Sequence, residues 1–284
     1  MILNLLVKLL QLLPHRLTLA FGRFVGRILR LVLWQKVDRC EARCVKSLGV
    51  GITTAREIIK LSFINLAMSA VEFIRLPVIK PVIKNYVSFD KESVRTLHEA
   101  LSRGHGVILM SSHMANWEYA AIRVIAEGFP LHVLYTPQRN QGGANDIIMK
   151  IRAQSPEMAM IDNKGAGLRE IFRVLKAGGI IVIMQDLDAR RDGVITNFLG
   201  LPASTHDGII KLHEKFKCPI VPVHYKRDWK NPTQHSVTMP EILSDRPEFD
   251  LETCNRVIEE WIKEEPGQWF WLMDRWEYTL GKKA

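Results

Sequence analysis

The sequence predicts an α/β fold in which a mostly parallel central sheet is flanked by helices and preceded by a helical segment that associates with a membrane. After about residue 80, short apolar runs alternate with amphipathic stretches, which is typical of βαβ units. The apolar runs are nearly continuous, as in strands that are covered on both faces. The first 34 residues differ, because they combine a very apolar start with an arginine-rich helical pattern.

The predicted elements of the α/β part follow one another along the chain. We expect helices over residues 90–103, 116–127, 144–154, 166–177 and 206–217. We expect strands over residues 106–110, 131–135, 158–161, 179–184 and 219–224. Residues 35–80 are predicted to be further helices that end at a turn marked by Pro77 and Pro81. We therefore divide the chain near residue 80, into a helical membrane-facing segment (1–80) and an α/β domain (81–284).

The first 13 residues are nearly all apolar, and Pro14 separates them from a second helical pattern over residues 17–34. In that helix three arginines share one face and large apolar residues share the other. The arginines are Arg23, Arg27 and Arg30, and the apolar residues are Leu17, Phe21, Phe24, Ile28 and Leu31. This pattern is typical of a helix that lies in a membrane interface with its arginines at anionic head groups. The alternatives are a helix that packs on the core, and a tilted span that Lys8 and Arg16 interrupt.

Composition limits the class of protein. Of the 284 residues, 47% are apolar and 24% are charged, which argues against a disordered chain and a polytopic membrane protein. No run of uncharged apolar residues is long enough for a simple transmembrane span, and no secretory signal peptide is expected. The net charge of +9 suits nucleic acid, anionic lipid or an acidic substrate. The four cysteines are predicted to be reduced, buried thiols, since Cys40 and Cys44 have no second pair at zinc-ligand spacing.

A histidine and a carboxylate follow the predicted strand 106–110. His113 lies at its carboxyl end, where parallel sheets place reactive groups, and Glu118 lies in the first turn of the next helix, behind the candidate N-cap Asn116. A carboxylate on one ring nitrogen would fix the tautomer, leaving the other nitrogen to take a proton from a hydroxyl. No G-x-S-x-G elbow is present, which favours direct transfer without a covalent intermediate. The alternative is a histidine that caps the strand, followed by an exposed helical Glu118.

Charged residues also leave the most apolar strand, 179–184. Asp186, Asp188 and Arg190 are candidates to orient a polar substrate or to support the loop of His113. The alternatives are a solvated ion-pair loop and a metal site that uses both aspartates with His113. Arg139, in the polar loop after residue 135, has the chemistry to bind a phosphate but is equally compatible with solvent exposure.

The aromatic residues near the carboxyl terminus, within 268–276, have three interpretations. They are a final strand on the sheet, an interfacial belt or, as we favour, part of the core.

Five segments in order resemble a known family. Residues 113–118, His-Met-Ala-Asn-Trp-Glu, resemble the catalytic H-x-x-N-W-E motif of the bacterial lipid A late acyltransferases (the Kdo2-lipid IVA lauroyl and myristoyl transferases), within the glycerolipid acyltransferase superfamily. The other matching segments are 164–179, 185–188, 193–203 and 266–271. The resemblance runs from about residue 100 to residue 276 and is weaker in the N-terminal helices.

The resemblance implies an enzyme bound to the cytoplasmic face of the inner membrane through its N-terminal helices, with 81–284 as the acyltransferase domain. It implies transfer of a fatty acyl group from acyl carrier protein or acyl-CoA to a hydroxyl of a glycolipid, a lipid A precursor. No cofactor beyond that co-substrate, no metal and no nucleic-acid partner are expected. His113 would be the general base, Glu118 its orienting partner and Asp186 a supporting acid. Asn116, Arg139, Asp188 and Arg190 would bind substrate or support the site.

The sequence departs from the family pattern where the acceptor should bind. The family's Tyr-Arg-Pro turn reads Tyr-Thr-Pro at 135–137, so that Arg139 is the candidate replacement. The loop after Asp188 and the ending at 272–275 also differ. These changes leave open a different glycolipid or a lysophospholipid as acceptor, a non-catalytic membrane-binding protein, and a metal-dependent hydrolase. We expect a hydrophobic tunnel for the acyl chain between the sheet and the N-terminal helices.

Overall fold

The computed structural model describes residues 2–135, 142–162, 165 and 167–281. Among these residues, helices alone precede residue 87, and strands and helices alternate over much of 87–222. In these ranges the strands are β1 (Val87–Phe89), β2 (Val107–Ser111), β3 (Leu131–Tyr135), β4 (Met158–Asp162), β5 (Ile180–Met184), β6 (Val194–Phe198), β7 (Leu201–Thr205), β8 (Ile220–Pro222), β9 (His224–Arg227) and β10 (His235–Thr238). The α-helices are α1 (Ile2–Leu12), α2 (His15–Val32), α3 (Trp34–Leu48), α4 (Ile52–Ile74), α5 (Leu76–Ile79), α6 (Lys91–Ser102), α7 (Trp117–Ile125), α8 (Gly142–Arg152), α9 (Gly167–Lys176), α10 (Gly208–Phe216), α11 (Leu251–Glu264) and α12 (Glu277–Leu280). The 3₁₀ turns are Lys80–Asn85, Arg190–Asp192, Leu243–Asp245, Pro266–Gln268 and Trp271–Met273.

The central sheet has five parallel strands in the order β4–β3–β5–β2–β8. Each strand of this sheet coincides with one of the five predicted strands, and helices separate them along the chain, so the predicted α/β fold is confirmed. β2 is buried at every position, as its unbroken apolar run requires. Because β2 and β5 are neighbours, the residues that follow them leave the sheet side by side.

Two smaller sheets lie outside the prediction. β1 pairs with β10, and β10 pairs with β9. β6 and β7 form an antiparallel hairpin whose turn places Leu199 and Gly200 at positive φ (49° and 76°). Leucine is not a residue that signals such a turn, so the sequence does not predict the hairpin. The helix α11 is also absent from the prediction, although Asp250 caps it by accepting a hydrogen bond from the backbone nitrogen of Thr253 (2.6 Å).

The N-terminal helix α2 packs on α4 through small residues rather than through its large apolar ones. A Cβ added at Gly26 would lie 2.7 Å from Cα of Ile64, and one at Gly22 would lie 2.9 Å from Cα of Met68. The five large apolar residues of the predicted membrane face are exposed; they are Leu17, Phe21, Phe24, Ile28 and Leu31. Core packing therefore uses the opposite face of this helix. Within the described residues, none of the helices combines the length and apolarity that a membrane crossing needs.

One buried apolar core joins the two sides of residue 80. It includes Phe63 of α4 and Ile108 of β2, among many others. The division of the chain at residue 80 stays a prediction. As predicted, the four cysteines are free and buried, and burial raises the pKa of the Cys254 thiol to about 12.

Candidate active site

His113 and Asp186 occupy equivalent positions, each two residues beyond the end of a strand. Ser111 of β2 pairs with Met184 of β5, so the chain carries both residues out of the sheet at the same level. The His113 ring Nδ1 lies 2.9 Å from Oδ1 of Asp186, and the backbone nitrogen of His113 donates to Oδ2 (2.7 Å). The adjacent ends of two parallel strands therefore hold the ring in a fixed orientation.

Asp186 is buried, yet its carboxylate is charged. Burial raises its pKa, but the electrostatic attraction to the His113 ring when that ring is protonated, the two hydrogen bonds from His113 and one from Trp269 outweigh that effect, and the pKa lies below its ordinary value. The indole Nε1 of Trp269 donates to Oδ2 over 2.9 Å. An ionised aspartate at Nδ1 favours the tautomer that keeps the proton on that nitrogen and stabilises the imidazolium.

The other ring nitrogen of His113 is available to a substrate. The side chain is 18% exposed, and Nε2 has no hydrogen-bond partner among the described residues. The ring packs against Trp117 with an edge-to-face geometry and a centroid distance of 5.1 Å, and Phe270 stacks on Trp117 at 6.4 Å. The proton-accepting nitrogen thus lies at a half-buried aromatic surface, where water is partly excluded.

The partner that the sequence analysis expects for His113 is corrected by the structure. The sequence predicts that Glu118 contacts the imidazole. Instead, the carboxylate of Glu118 accepts a hydrogen bond from Arg152 at the end of α8, and Asp186 is hydrogen bonded to the ring. The reason is topological, since Asp186 follows β5, the neighbour of β2, whereas Glu118 lies on α7 within reach of Arg152. A catalytic role for Glu118 stays a prediction.

Asn116 caps α7 as predicted. Its Oδ1 accepts from the backbone nitrogen of Tyr119 (3.1 Å), and its Nδ2 donates to Glu72 of α4 (2.8 Å). The preceding residue, Ala115, has a φ of +43°, in the left-handed region that side chains rarely adopt. Residues 112–116, hereafter the site loop, therefore adopt a conformation that neighbouring elements must maintain.

The carboxyl-terminal segment supplies part of that support. The backbone nitrogen of Ala115 donates to the carbonyl of Gln268 (2.9 Å), and that of Phe270 donates to the carbonyl of His113 (3.0 Å). Met114 and Trp269 form an isolated antiparallel bridge rather than a full strand. Trp269 is almost fully buried, so the predicted core role of this aromatic segment is confirmed.

Two further predicted site residues, Asp188 and Arg190, have no described contact with His113. Asp188 accepts from the backbone nitrogens of Arg190 (2.9 Å) and Tyr278 (3.0 Å), so it shapes its own loop and holds α12. Arg190 is exposed, and Arg139 lies outside the described residues. In the part of the chain that the structure describes, no group of three or more side chains could hold a metal ion.

A cavity of about 190 Å³ opens beside the site loop, between α4 and the pair α7 and α8. Its lining is mostly apolar and comprises Leu66, Ser69, Ala70, Phe73, Asn116, Trp117, Glu118, Ile148 and Arg152. Arg152 also lies over the ring of Phe73, 5.8 Å from its centroid. Sequence reasoning missed Arg152 and Trp269 as site residues, because each reaches the site over a long sequence distance and neither lies in a motif with Glu118 or Asp186.

Two comparisons with known proteins bear on this chain. A family described as bacterial lipid A biosynthesis acyltransferase matches residues 1–278. A lipid A biosynthesis acyltransferase of Haemophilus influenzae is 23% identical over 179 residues, which cover 62% of this chain and 55% of that protein. The chain thus aligns with only about half the length of this curated relative.

Proposed function

Because the chain belongs to the bacterial lipid A biosynthesis acyltransferase family, we propose that it transfers a fatty acyl group from an acyl thioester to a hydroxyl of a glycolipid. The observation that carries the proposal is the contact between His113 and the buried carboxylate of Asp186, with Nε2 at a half-buried aromatic surface. This is the arrangement that a general base for hydroxyl activation requires.

In the proposed step, Nε2 of His113 takes the proton of the acceptor hydroxyl while the hydroxyl oxygen attacks the thioester carbonyl carbon. The tetrahedral intermediate collapses with cleavage of the carbon–sulfur bond, and the proton passes from the imidazolium to the departing thiolate. Asp186 stabilises the imidazolium between these two transfers. Acyl transfer is direct, and no acyl-enzyme forms, since the sequence offers no serine or cysteine elbow.

We place Glu118 on the substrate side of the site. It lines the cavity beside Trp117 together with Arg152, to which it is hydrogen bonded. This cavity lies between α4 and the α/β domain, close to where the tunnel for the acyl chain is expected. Its volume is below the ~300–1,000 Å³ of typical ligand pockets, so it would receive part of an acyl chain while the rest lies along the aromatic surface.

We further propose that the protein works at a membrane, on the cytoplasmic face of the inner membrane. The exposed residues Phe24 and Leu31 belong to an apolar face of α2, and Leu9 and Leu12 of α1 are exposed as well. Burying such residues in the acyl region of a bilayer is favourable. The charge of +9 is suited to lipid phosphates and to an acidic acyl carrier protein.

The acceptor in the first proposal is a lipid A precursor. A second candidate is another glycolipid or a lysophospholipid, which the altered Tyr-Thr-Pro sequence at 135–137 favours. The test is incubation of the purified protein with acyl carrier protein or coenzyme A thioesters and a panel of acceptors, with products read by mass spectrometry. We expect one acylated acceptor with the wild type and, over the same incubation time, at least ~100-fold less of it with His113→Ala. Vesicle binding with no product from any donor would instead identify a non-catalytic membrane protein, and loss of turnover in EDTA would support a metal-dependent hydrolase.

A further inference from the structure

Behind the site loop lies a buried ion pair that the proposed mechanism does not use. Nη1 and Nη2 of Arg227, on β9, donate to Oε1 and Oε2 of Glu72, on α4, over 2.9 and 2.7 Å, and both residues are fully buried. Burial raises the pKa of Glu72, but Arg227 and the hydrogen bonds to the carboxylate hold it well below its ordinary value, so the pair is charged. A buried pair of this kind contributes little net stability compared with apolar side chains of the same size. Its contacts therefore point to another role.

Glu72 fixes the orientation of Asn116. Its Oε2 accepts from Nδ2 of Asn116 (2.8 Å), which turns Oδ1 of the same amide towards the backbone nitrogen of Tyr119. If the amide were reversed, Glu72 would lose the hydrogen bond from Asn116, and the backbone nitrogen of Tyr119 would lose its acceptor. Glu72 thereby sets the point at which α7 begins, and with it the positions of Trp117 and Glu118.

Arg227 acts on the preceding residue of the loop through two side chains of α4. Its Nε donates to Oδ1 of Asn65 (2.9 Å), and its Nη2 donates to Oγ of Ser69 (3.1 Å). Both of these side chains then donate to the carbonyl of Ala115, over 3.2 Å from Asn65 and 2.8 Å from Ser69. The guanidinium orients each donor by occupying its acceptor oxygen. The left-handed conformation of Ala115 is unfavourable for a residue with a Cβ, and these two bonds hold it.

We infer that Glu72 and Arg227 are positioning residues that hold Ala115 and Asn116, and through them His113, in the geometry that acyl transfer needs. This inference rests on the proposed function. It also explains why α4, which belongs to the N-terminal helical segment, packs directly behind the site loop. Small displacements of a reacting group have large effects on rate, since a shift of about 1 Å can cost ~100-fold.

Other groups also face Glu72, but none of their described contacts reaches the site loop. Nε2 of His235 lies 3.2 Å from Oε1, and Nε2 of His15 lies 3.4 Å from it. They help to compensate the carboxylate, and their rings contact Tyr119 rather than Ala115 or Asn116. The positioning effect is therefore assigned to the contacts of Glu72 and Arg227 with the loop and its two donors.

A double-mutant cycle tests the inference. Glu72→Gln and Asn116→Ser, singly and together, are assayed for kcat and KM alongside the unfolding midpoint of each protein. The shorter serine side chain would keep a capping oxygen but could not reach Glu72. We expect each single variant to lower kcat by ~10- to 100-fold with little change in KM, and the double variant to be no slower than the slower single one. If the losses of kcat in the two single variants multiply in the double variant, or if kcat is unchanged while the unfolding midpoint falls, Glu72 has a purely structural role.

A milder variant guards against loss of folding. Ser69→Ala removes one donor to Ala115 and leaves the pair between Glu72 and Arg227 in place. Its matched control is Ser47→Ala, in α3, because the Ser47 hydroxyl is buried and has no hydrogen-bond partner among the described residues. We expect Ser69→Ala to lower kcat several-fold with an unfolding midpoint close to that of the control. Equal turnover in the two variants would overturn the inference.

The proposed function and the positioning role fail in different ways. If wild-type protein and Ser47→Ala yield no product with any acceptor, the proposed function fails. Positioning is then read from the NMR resonances of the His113 ring, assigned by their loss in His113→Ala. We expect Glu72→Gln and Ser69→Ala to shift these resonances and Ser47→Ala to leave them in place, while unshifted resonances in all three would contradict the inference.

Discussion

Asp186 binds His113 twice, once at the ring and once at the backbone, so that it fixes both the orientation of the imidazole and the path of the chain that carries it. The two residues gain this relation from neighbouring strands rather than from nearness in sequence. The carboxylate is buried and charged, while the ring is partly exposed. Their roles separate accordingly, with His113 meeting the substrate and Asp186 holding His113.

Removal of either member of this pair is the first prediction. His113→Ala should lower kcat by ~10²–10⁴-fold, the usual contribution of a general base, without loss of folding, because the ring is partly exposed. Asp186→Asn should also lower kcat strongly, since the amide cannot stabilise the imidazolium as the carboxylate does. Turnover numbers with a saturating acyl donor, with circular dichroism of each variant, provide the measurement. A His113→Ala variant with near-normal kcat would exclude the proposed base.

Glu118 and Asp186 should respond differently to neutralisation. Glu118 contacts Arg152 and lines the cavity beside the site loop, so Glu118→Gln should mainly raise KM and leave kcat within a few-fold of the wild type. Asp186→Asn should mainly lower kcat, because its carboxylate acts on the imidazole rather than on the substrate. Steady-state kinetics over a range of acyl donor concentrations separate the two effects.

The control for this comparison is Glu92→Gln on α6, whose side chain is 63% exposed and which should leave both kcat and KM unchanged. A loss of kcat in Glu118→Gln as large as that in Asp186→Asn would contradict the separation of roles and return Glu118 to the catalytic step.

The sequence predicted the sheet well because its strands are continuous apolar runs, and it predicted Asn116 as a cap because that signal is local. It assigned the wrong partner to His113, because β5 lies next to β2 although β3 and β4 intervene in the chain. Strand order is decided by packing and not by the residues near His113. For the same reason Glu72 and Arg227, 155 residues apart, carried no recognisable signal.

Asp186 should make the free energy of unfolding depend on pH in the acidic range. Its folded-state pKa lies below its ordinary value, so the ionised carboxylate stabilises the folded protein above the ordinary pKa of about 3.9. That contribution is lost as the pH falls through the lower, folded-state pKa. The difference in unfolding free energy between wild type and Asp186→Asn should thus shrink in acid. Denaturant titrations from about pH 7 to about pH 2 measure it; a difference that is the same across this range would contradict the assignment.

The close packing of α2 on α4 predicts a strong effect of a very small change. Gly26→Ala would place a methyl group 2.7 Å from the backbone of α4 at Ile64, and backbone cannot move as a side chain can. We expect a loss of about 1–3 kcal/mol in the free energy of unfolding, as for overpacked cores. Gly51→Ala, with no atom within 4 Å of the added Cβ, is the matched control. Equal stability of the two variants in urea titrations would show that the helices are not in this contact.

Replacing the exposed apolar residues of α2 should weaken membrane binding without changing stability. Phe24 and Leu31 are 58% and 71% exposed, so Phe24→Ser with Leu31→Ser removes little packing, and the free energy of unfolding should change by less than about 1 kcal/mol. In a bilayer the same side chains would each contribute ~1.5–3 kcal/mol by burial, so co-sedimentation with anionic vesicles should fall at least ~10-fold. Leu168→Ser on α9, which is 50% exposed, controls for a general loss of apolar surface and should bind like the wild type. If the α2 double variant binds vesicles as well as Leu168→Ser does, this face of α2 is not the membrane contact.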